Sequence, residues 1–207
     1  MTNAEISVSS VRRAPLRAVG RAPVIDRAAA ERAVGDLLAA LGADPLDEHL
    51  RETPRRVAAA YAEMLTARPF EITTFPNDEG YDELVLARRI PFHSLCQHHL
   101  LPFKGVAHVG YLPGARIVGL SKLARVVELF ARRLQVQERL TQQVATWLRD
   151  NLEPKGVGVV LEAEHLCMSL RGVQAAGALT VTSALHGILR TDPGSRAEFF
   201  ALTGATP

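Results

Sequence analysis

The chain has 207 residues, 47% of them hydrophobic, with a formal net charge of +2. That size suits one substantial domain, or one domain with a helical appendage, around a packed core. The small charge argues against a dedicated nucleic-acid binder, no apolar run approaches the ~20 residues of a membrane span, no signal-peptide pattern is present, and two cysteines are too few for a disulfide scaffold, so a cytoplasmic location is expected.

Residues 1–25 are rich in Ser, Arg, Pro and Ala without sustained periodicity and are expected to be a flexible arm. Residues 26–67 predict a helical hairpin. Asp26 can cap a first helix with Ala30, Val34, Leu37, Leu38 and Leu41 on one stripe, and Gly42 ends it. A second helix is expected from Asp47 to about Ala67, with a fresh start at Pro54. Residues 68–82 carry Pro, Gly, Asn and Asp and predict a connector.

Strands are expected over 84–95 and 103–112, then a Pro113-Gly114 turn and a short extended piece at 116–120. Ser121 can cap a helix over 122–133, and a second helix is expected over 137–152, broken by Pro154-Lys-Gly156. Strands over 156–170 and 178–189 follow. The order ββααββ behind a helical hairpin predicts an α+β fold, its sheet mostly antiparallel, over residues 68–207.

The chemistry concentrates in Ser94-Leu-Cys-Gln-His-His-Leu-Leu-Pro-Phe103. Cys96-x-x-His99 is half of a zinc site, and Cys167, the only other cysteine, is the third candidate ligand. Three protein ligands leave a fourth position for a water, whose pKa zinc lowers from about 15.7 toward ~7. On a strand over 156–170, His165 and Cys167 would share a face. His98 sits beside a ligand and is free for proton transfer, a task suited to imidazole near neutral pH. The plain alternative is that both cysteines are small buried hydrophobes. His49, His93, His108 and His186 have no partner in sequence and are expected on the surface or hydrogen-bonded in the core.

Ser121, Lys122 and Arg125 at a helix start form a candidate anion site, with Arg171 following the strand that carries Cys167. The alternative is an ordinary solvated helix start. Gln137 and Glu138 open the next helix; a carboxylate there can accept two N–H bonds from a guanine edge, or simply complement the helix dipole.

Taken together, the cysteine block, Gly119-Leu-Ser-Lys-Leu-Ala-Arg125, Gln135-Val-Gln-Glu-Arg-Leu-Thr141, Pro154-Lys-Gly-Val-Gly-Val-Val160 and His165-Leu-Cys-Met-Ser-Leu-Arg-Gly172 resemble the signature blocks of the GTP cyclohydrolase I family. The likeness covers roughly 26–203, Glu52-Thr-Pro-Arg-Arg-Val57 included. It implies conversion of GTP and water to 7,8-dihydroneopterin triphosphate and formate, at the head of folate and pterin synthesis. It implies zinc on Cys96, His99 and Cys167, His98 as proton donor to the purine imidazole during attack at C8, and His165 and Ser121 near the ribose. Glu138, helped by Gln137, is implied on the guanine edge, and Lys122, Arg125 and Arg171 on the triphosphate, with Arg56 reaching in from a neighbouring subunit. The implied fold is the tunnelling fold, with two helices on one face of the sheet. The implied assembly is a homodecamer of two pentamers with active sites between subunits. One departure stands out: Gln97 occupies the place of the family's usual glutamate. The competing readings are a copy dedicated to deazapurine synthesis, a zinc-free nitrile reductase on the same fold, and a non-catalytic paralogue.

Overall fold

The computed structural model describes residues 24–44 and 46–204; most of the predicted arm, residues 1–23, lies outside them. Helix α1 spans Arg27–Ala40, and its N-cap Asp26 accepts from the Ala29 amide at 2.9 Å, as the capping pattern predicts. The expected apolar stripe along α1 forms, but nothing in α1 is buried, and Leu37 and Leu41 are 56% and 74% exposed. Helix α2 spans Thr53–Met64 with a proline in its first turn. Its start is therefore at the proline block and not at Asp47, because proline lacks the N–H that a helix interior needs. Ala58 and Ala62 give α2 its buried face.

The stretch predicted as a plain connector contains a strand, β1 (Thr74–Pro76), which pairs antiparallel with β4 (Arg116–Val118). The main sheet has five strands in the order β5-β2-β3-β6-β7. These are β2 (Val85–Cys96), β3 (Pro102–Leu112), β5 (Leu134–Gln135), β6 (Gly156–His165) and β7 (Leu179–Gly187). All pairs are antiparallel except β2 with the two-residue β5. Helix α3 (Leu120–Ala131) and helix α4 (Gln137–Leu152) pack on one face, burying Leu123, Val126, Val127, Leu140, Val144 and Leu148 against Phe103, Val109, Tyr111, Val157 and Val159. Such alternate strand residues reach one face because side chains alternate along a strand.

Three expectations change here. Gly119, not Ser121, is the N-cap of α3, and Ser121 is an exposed residue inside its first turn. The strand expected to 170 ends at His165, and Cys167 lies on a helical turn, α5 (Leu166–Ser169). The chain also continues past β7 into a short α6 (Ile188–Thr191) and α7 (Pro193–Thr203). Phe199 of α7 packs on the opposite sheet face, over the paired Gly110 and Gly158; a Cβ at Gly158 would lie 2.7 Å from its ring. The sheet thus carries helices on both faces.

Close approach also fixes Gly105, where a side chain would collide with the Glu162 carbonyl and stand 2.6 Å from the Ala163 Cα. Both are backbone, so they cannot swing aside. Gly105→Ala is expected to cost about 3 kcal/mol, the upper range for overpacking, and to lower the thermal midpoint by several degrees. Scanning calorimetry of the variant checks this; an unchanged midpoint would mean that β3 and β6 can separate at no cost.

His108 does not fit the expectation of a surface or hydrogen-bonded histidine. It is 7% exposed, and its Nδ1 has no partner among the described residues. Burial, with Arg88 and Arg89 adding and Glu162 opposing, lowers its pKa from the ordinary 6.5. The folded protein therefore resists a proton that the unfolded chain accepts, and stability falls as pH drops below about 6.5. The thermal midpoint should decline from pH 7 to pH 5, and decline less in His108→Gln. An identical slope in the variant would assign the acid sensitivity to other groups.

Candidate metal centre

The end of β2 and the turn after it build the centre. The Cys96 amide donates to the Leu101 carbonyl at 2.9 Å, the Gln97 amide donates to the Gln135 carbonyl of β5 at 2.9 Å, and the Leu100 amide donates to the Cys96 carbonyl at 2.8 Å. Leu100 takes a positive φ of 56° to close the turn. From the hairpin, the Tyr61 hydroxyl donates to the Leu100 carbonyl at 3.0 Å. The phenolic tip of Tyr61 has no local signal in the sequence.

Cys167 reaches the same place from α5, just past the end of β6, which pairs His165 with Phe103. The donor atoms of Cys96, His99 and Cys167 all lie within 4.8 Å of one another. Cys96 Sγ is 3.6 Å from His99 Nδ1. Tetrahedral zinc with a bond of ~2.3 Å to sulfur and ~2.05 Å to nitrogen requires about 3.6 Å between those atoms, so the donor set fits the ion. Both cysteines are free thiols. Burial pushes the Cys167 thiol up and the neighbouring Cys96 adds to this, with Arg171 opposing. A thiol held back from ionising in this way is a poor ligand alone, and a divalent cation removes the conflict.

His98 lies beside the donors, and His165 is two residues before Cys167. His98 Nδ1 is 3.9 Å from Cys96 Sγ, and its Nε2 is 3.3 Å from the Gln97 amide nitrogen. Gln97 Oε1 accepts from Arg139 Nη2 at 2.8 Å. Arginine has only donors, so this contact settles the amide's orientation and turns its NH2 toward His98. Arg139 was not singled out in sequence, since an arginine in a helix's first turn carries no special pattern.

His165 stacks flat on Phe103, with ring centroids 4.6 Å apart and 1° between planes. Its Nε2 lies 2.7 Å from Gln137 Oε1. The Gln137 amide nitrogen meanwhile donates to the Leu161 and Thr180 carbonyls and the Thr182 hydroxyl. Gln137 is 1% exposed, and its side chain is committed inside the chain to His165 and to the β6 and β7 backbone. Burial lowers the pKa of His165, with the Glu138 charge opposing. Glu138 is exposed in the first turn of α4.

The other predicted residues sit elsewhere. Ser121 and Arg125 line a cleft of about 980 Å³ together with Arg68, His93, Lys104 and Glu128. No candidate metal ligand lines it, nor do His98 and His165. Lys122 is half-buried on α3 beside Ser121. Arg171 is exposed after α5, within electrostatic reach of Cys167. Arg56 is exposed on α2 near Glu52 and joins neither group. In one chain the phosphate candidates on α3 and the metal centre are thus separate surfaces.

The sequence model described as GTP cyclohydrolase I matches residues 30–204. The chain belongs to the GTP cyclohydrolase I family. It is 56% identical over 178 residues to a GTP cyclohydrolase 1 of Mycolicibacterium vanbaalenii, covering 84% of this chain and 88% of that one. It is 53% identical over 178 residues to a GTP cyclohydrolase 1 of Aquifex aeolicus, covering 86% and 97%. Among solved structures, the archaeosine synthase QueF-Like in its apo form covers 50% of this chain with a TM-score of 0.40 and 17% identity, a likeness too weak to decide topology. The members of this family named here are cyclohydrolases, which makes the non-catalytic alternative the weaker one. No helix among the described residues is long and apolar enough to cross a membrane.

Proposed function

We propose that this chain is a zinc-dependent GTP cyclohydrolase I that opens GTP at C8 and yields 7,8-dihydroneopterin triphosphate and formate. The observation that carries the reading is the Cys96, His99 and Cys167 donor cluster, with His98 beside Cys96, in a chain of this family. When bound, zinc supplies an activated water at neutral pH. His98 moves a proton at the purine imidazole nitrogen, where departure of the ring carbon needs a donor. His165, clamped between Phe103 and Gln137, handles the ribose protons with Ser121. Glu138 reads the guanine N–H edge, and Lys122, Arg125 and Arg171 neutralise the triphosphate.

Ser121 and Arg125 line a cleft apart from the cysteines, which supports a site completed between chains, in the decamer of two pentamers and tunnelling fold that the family resemblance implies. Exposed Leu37, Leu41 and Leu46, and Leu179 and Val181 on the edge strand β7, give such an assembly apolar surface to cover. Arg56, remote from both groups in one chain, then acts from a neighbour. Free thiols at the centre suit a reducing, cytoplasmic setting.

The test is direct. Purified protein given GTP should release formate and a pterin that fluoresces after oxidation, and chelation should stop both. Protein that contains no zinc and stays inert after zinc is restored would overturn the proposal.

A further inference from the structure

Glu128 lies on α3, one turn beyond Arg125, and gathers three arginines. Its Oε1 accepts from Arg68 Nε at 2.7 Å and Arg132 Nε at 3.1 Å, and its Oε2 accepts from Arg68 Nη2 and Arg125 Nη1, each at 3.1 Å. A carboxylate offers about four lone-pair sites, so these four bonds use it fully. Burial opposes ionisation of Glu128, but the hydrogen bonds of Arg68 and Arg125 and the charges of Arg68 and Arg132 hold its carboxyl below the usual range.

One negative charge cannot neutralise three guanidinium groups, so the cluster keeps a positive excess. The excess is arranged by exposure. The side chains of Glu128 and Arg132 are each 16% exposed, that of Arg125 is 40% exposed and that of Arg68 67%. Arg132 is drawn further inward, donating through Nη1 to the Glu63 carbonyl at 2.6 Å. Arg68 and Arg125 remain open, and both line the large cleft with Ser121 and Lys104. Each guanidinium has five N–H donors; Arg68 commits two and Arg125 one to Glu128. The planar fork of each is thus held by one edge, with donors left to face an anion.

An isolated surface ion pair would be worth little and would imply nothing. This arrangement differs: it is a shared inner carboxylate with two outward arginines, on the helix that also carries Ser121 and Lys122. Resting on the reading of GTP as substrate, we propose that Glu128 is a positioning residue that presents Arg125 and Arg68 as one polyphosphate-binding corner, and that Arg68 is a phosphate ligand additional to Lys122, Arg125 and Arg171. Arg132 braces Glu128 through its Nε.

The sign of one substitution separates positioning from bulk charge. Glu128→Gln keeps the shape and removes a negative charge. If only net charge mattered, it would bind a polyanion more tightly. If Glu128 positions the arginines, it binds more weakly, since the amide accepts through one oxygen only and repels with its NH2. Calorimetric titration of the zinc-loaded full chain with inorganic tripolyphosphate is expected to show about ten-fold weaker binding in both Glu128→Gln and Arg68→Gln, the loss of roughly one charge-assisted bond. Guanosine binding should stay within two-fold of the parent, and the KM for GTP should rise while kcat holds. Unchanged or tighter tripolyphosphate binding in Glu128→Gln overturns the positioning role. Unchanged binding in Arg68→Gln, a surface change that needs no refolding, overturns the corner itself. Equal loss of guanosine and tripolyphosphate in Glu128→Gln assigns Glu128 to structure alone and likewise overturns the positioning role. Parent protein that binds tripolyphosphate but releases no formate would sink the cyclohydrolase reading and leave the corner standing. Formate release with an unaltered KM in both variants would do the reverse.

Discussion

Cys167→Ala is expected to lower bound zinc well below one ion per chain and to cut formate release more than about 10³-fold, at the upper end of or beyond the ~10²–10⁴ typical of losing a general acid or base. The reason lies in the donor set. Cys96, His99 and Cys167 are the three groups within 4.8 Å of one another, and no fourth His, Cys, Asp or Glu joins them among the described residues. A site with three protein ligands has none in reserve, unlike a closed structural site. Cys167 is also the one ligand from α5; Cys96 ends β2 and His99 lies in the turn after it. Its loss should therefore weaken metal binding without disturbing the 96–101 turn, whose amide bonds do not involve residue 167. Metal analysis and the formate assay on the same preparation check the prediction. Full zinc content with full activity would remove Cys167 from the centre.

The parts of this fold legible in the sequence are those set by local periodicity and backbone chemistry. Asp26 caps α1, Pro54 starts α2, and α4 runs over Gln137–Leu152 as its apolar spacing predicts. The misplacements came from contacts distant in sequence. Thr74–Pro76 became a strand because Arg116–Val118 pairs with it. Apolar periodicity does not mark α5, four residues long and without a buried residue, so Cys167 was assigned to the wrong element while its partnership with Cys96 was still inferred from residue type. Gln137 shows the same limit. Its block in sequence is compatible with a substrate contact, and only the carbonyls of Leu161 and Thr180, from β6 and β7, reveal that its amide is used internally. The Glu128 cluster was invisible because Arg68 lies 60 residues from its partner.

His98→Ala is expected to lower kcat by about 10²–10⁴ while leaving zinc in place, because His98 is beside the donor group but is not one of its three members. Gln97→Glu then tests how His98 is held. In the present chain the Gln97 NH2 faces His98 Nε2 at 3.3 Å, so this ring nitrogen is an acceptor and the ring hydrogen sits on Nδ1, toward Cys96. A glutamate in the same place would keep the Arg139 contact, now as an ion pair, and would accept from Nε2 instead of donating to it. The ring would carry its hydrogen on the nitrogen away from the metal ligand. A charge-assisted hydrogen bond exceeds a neutral one by about 1 kcal/mol, roughly five-fold in a rate, so Gln97→Glu is expected to raise kcat by about that factor. The gain should vanish when His98 is already alanine, since the carboxylate then has no ring to hold. Steady-state kinetics on the two single variants and the double variant form the cycle that checks this. An equal gain with and without His98 would place the effect of residue 97 on Arg139 and not on the proton donor.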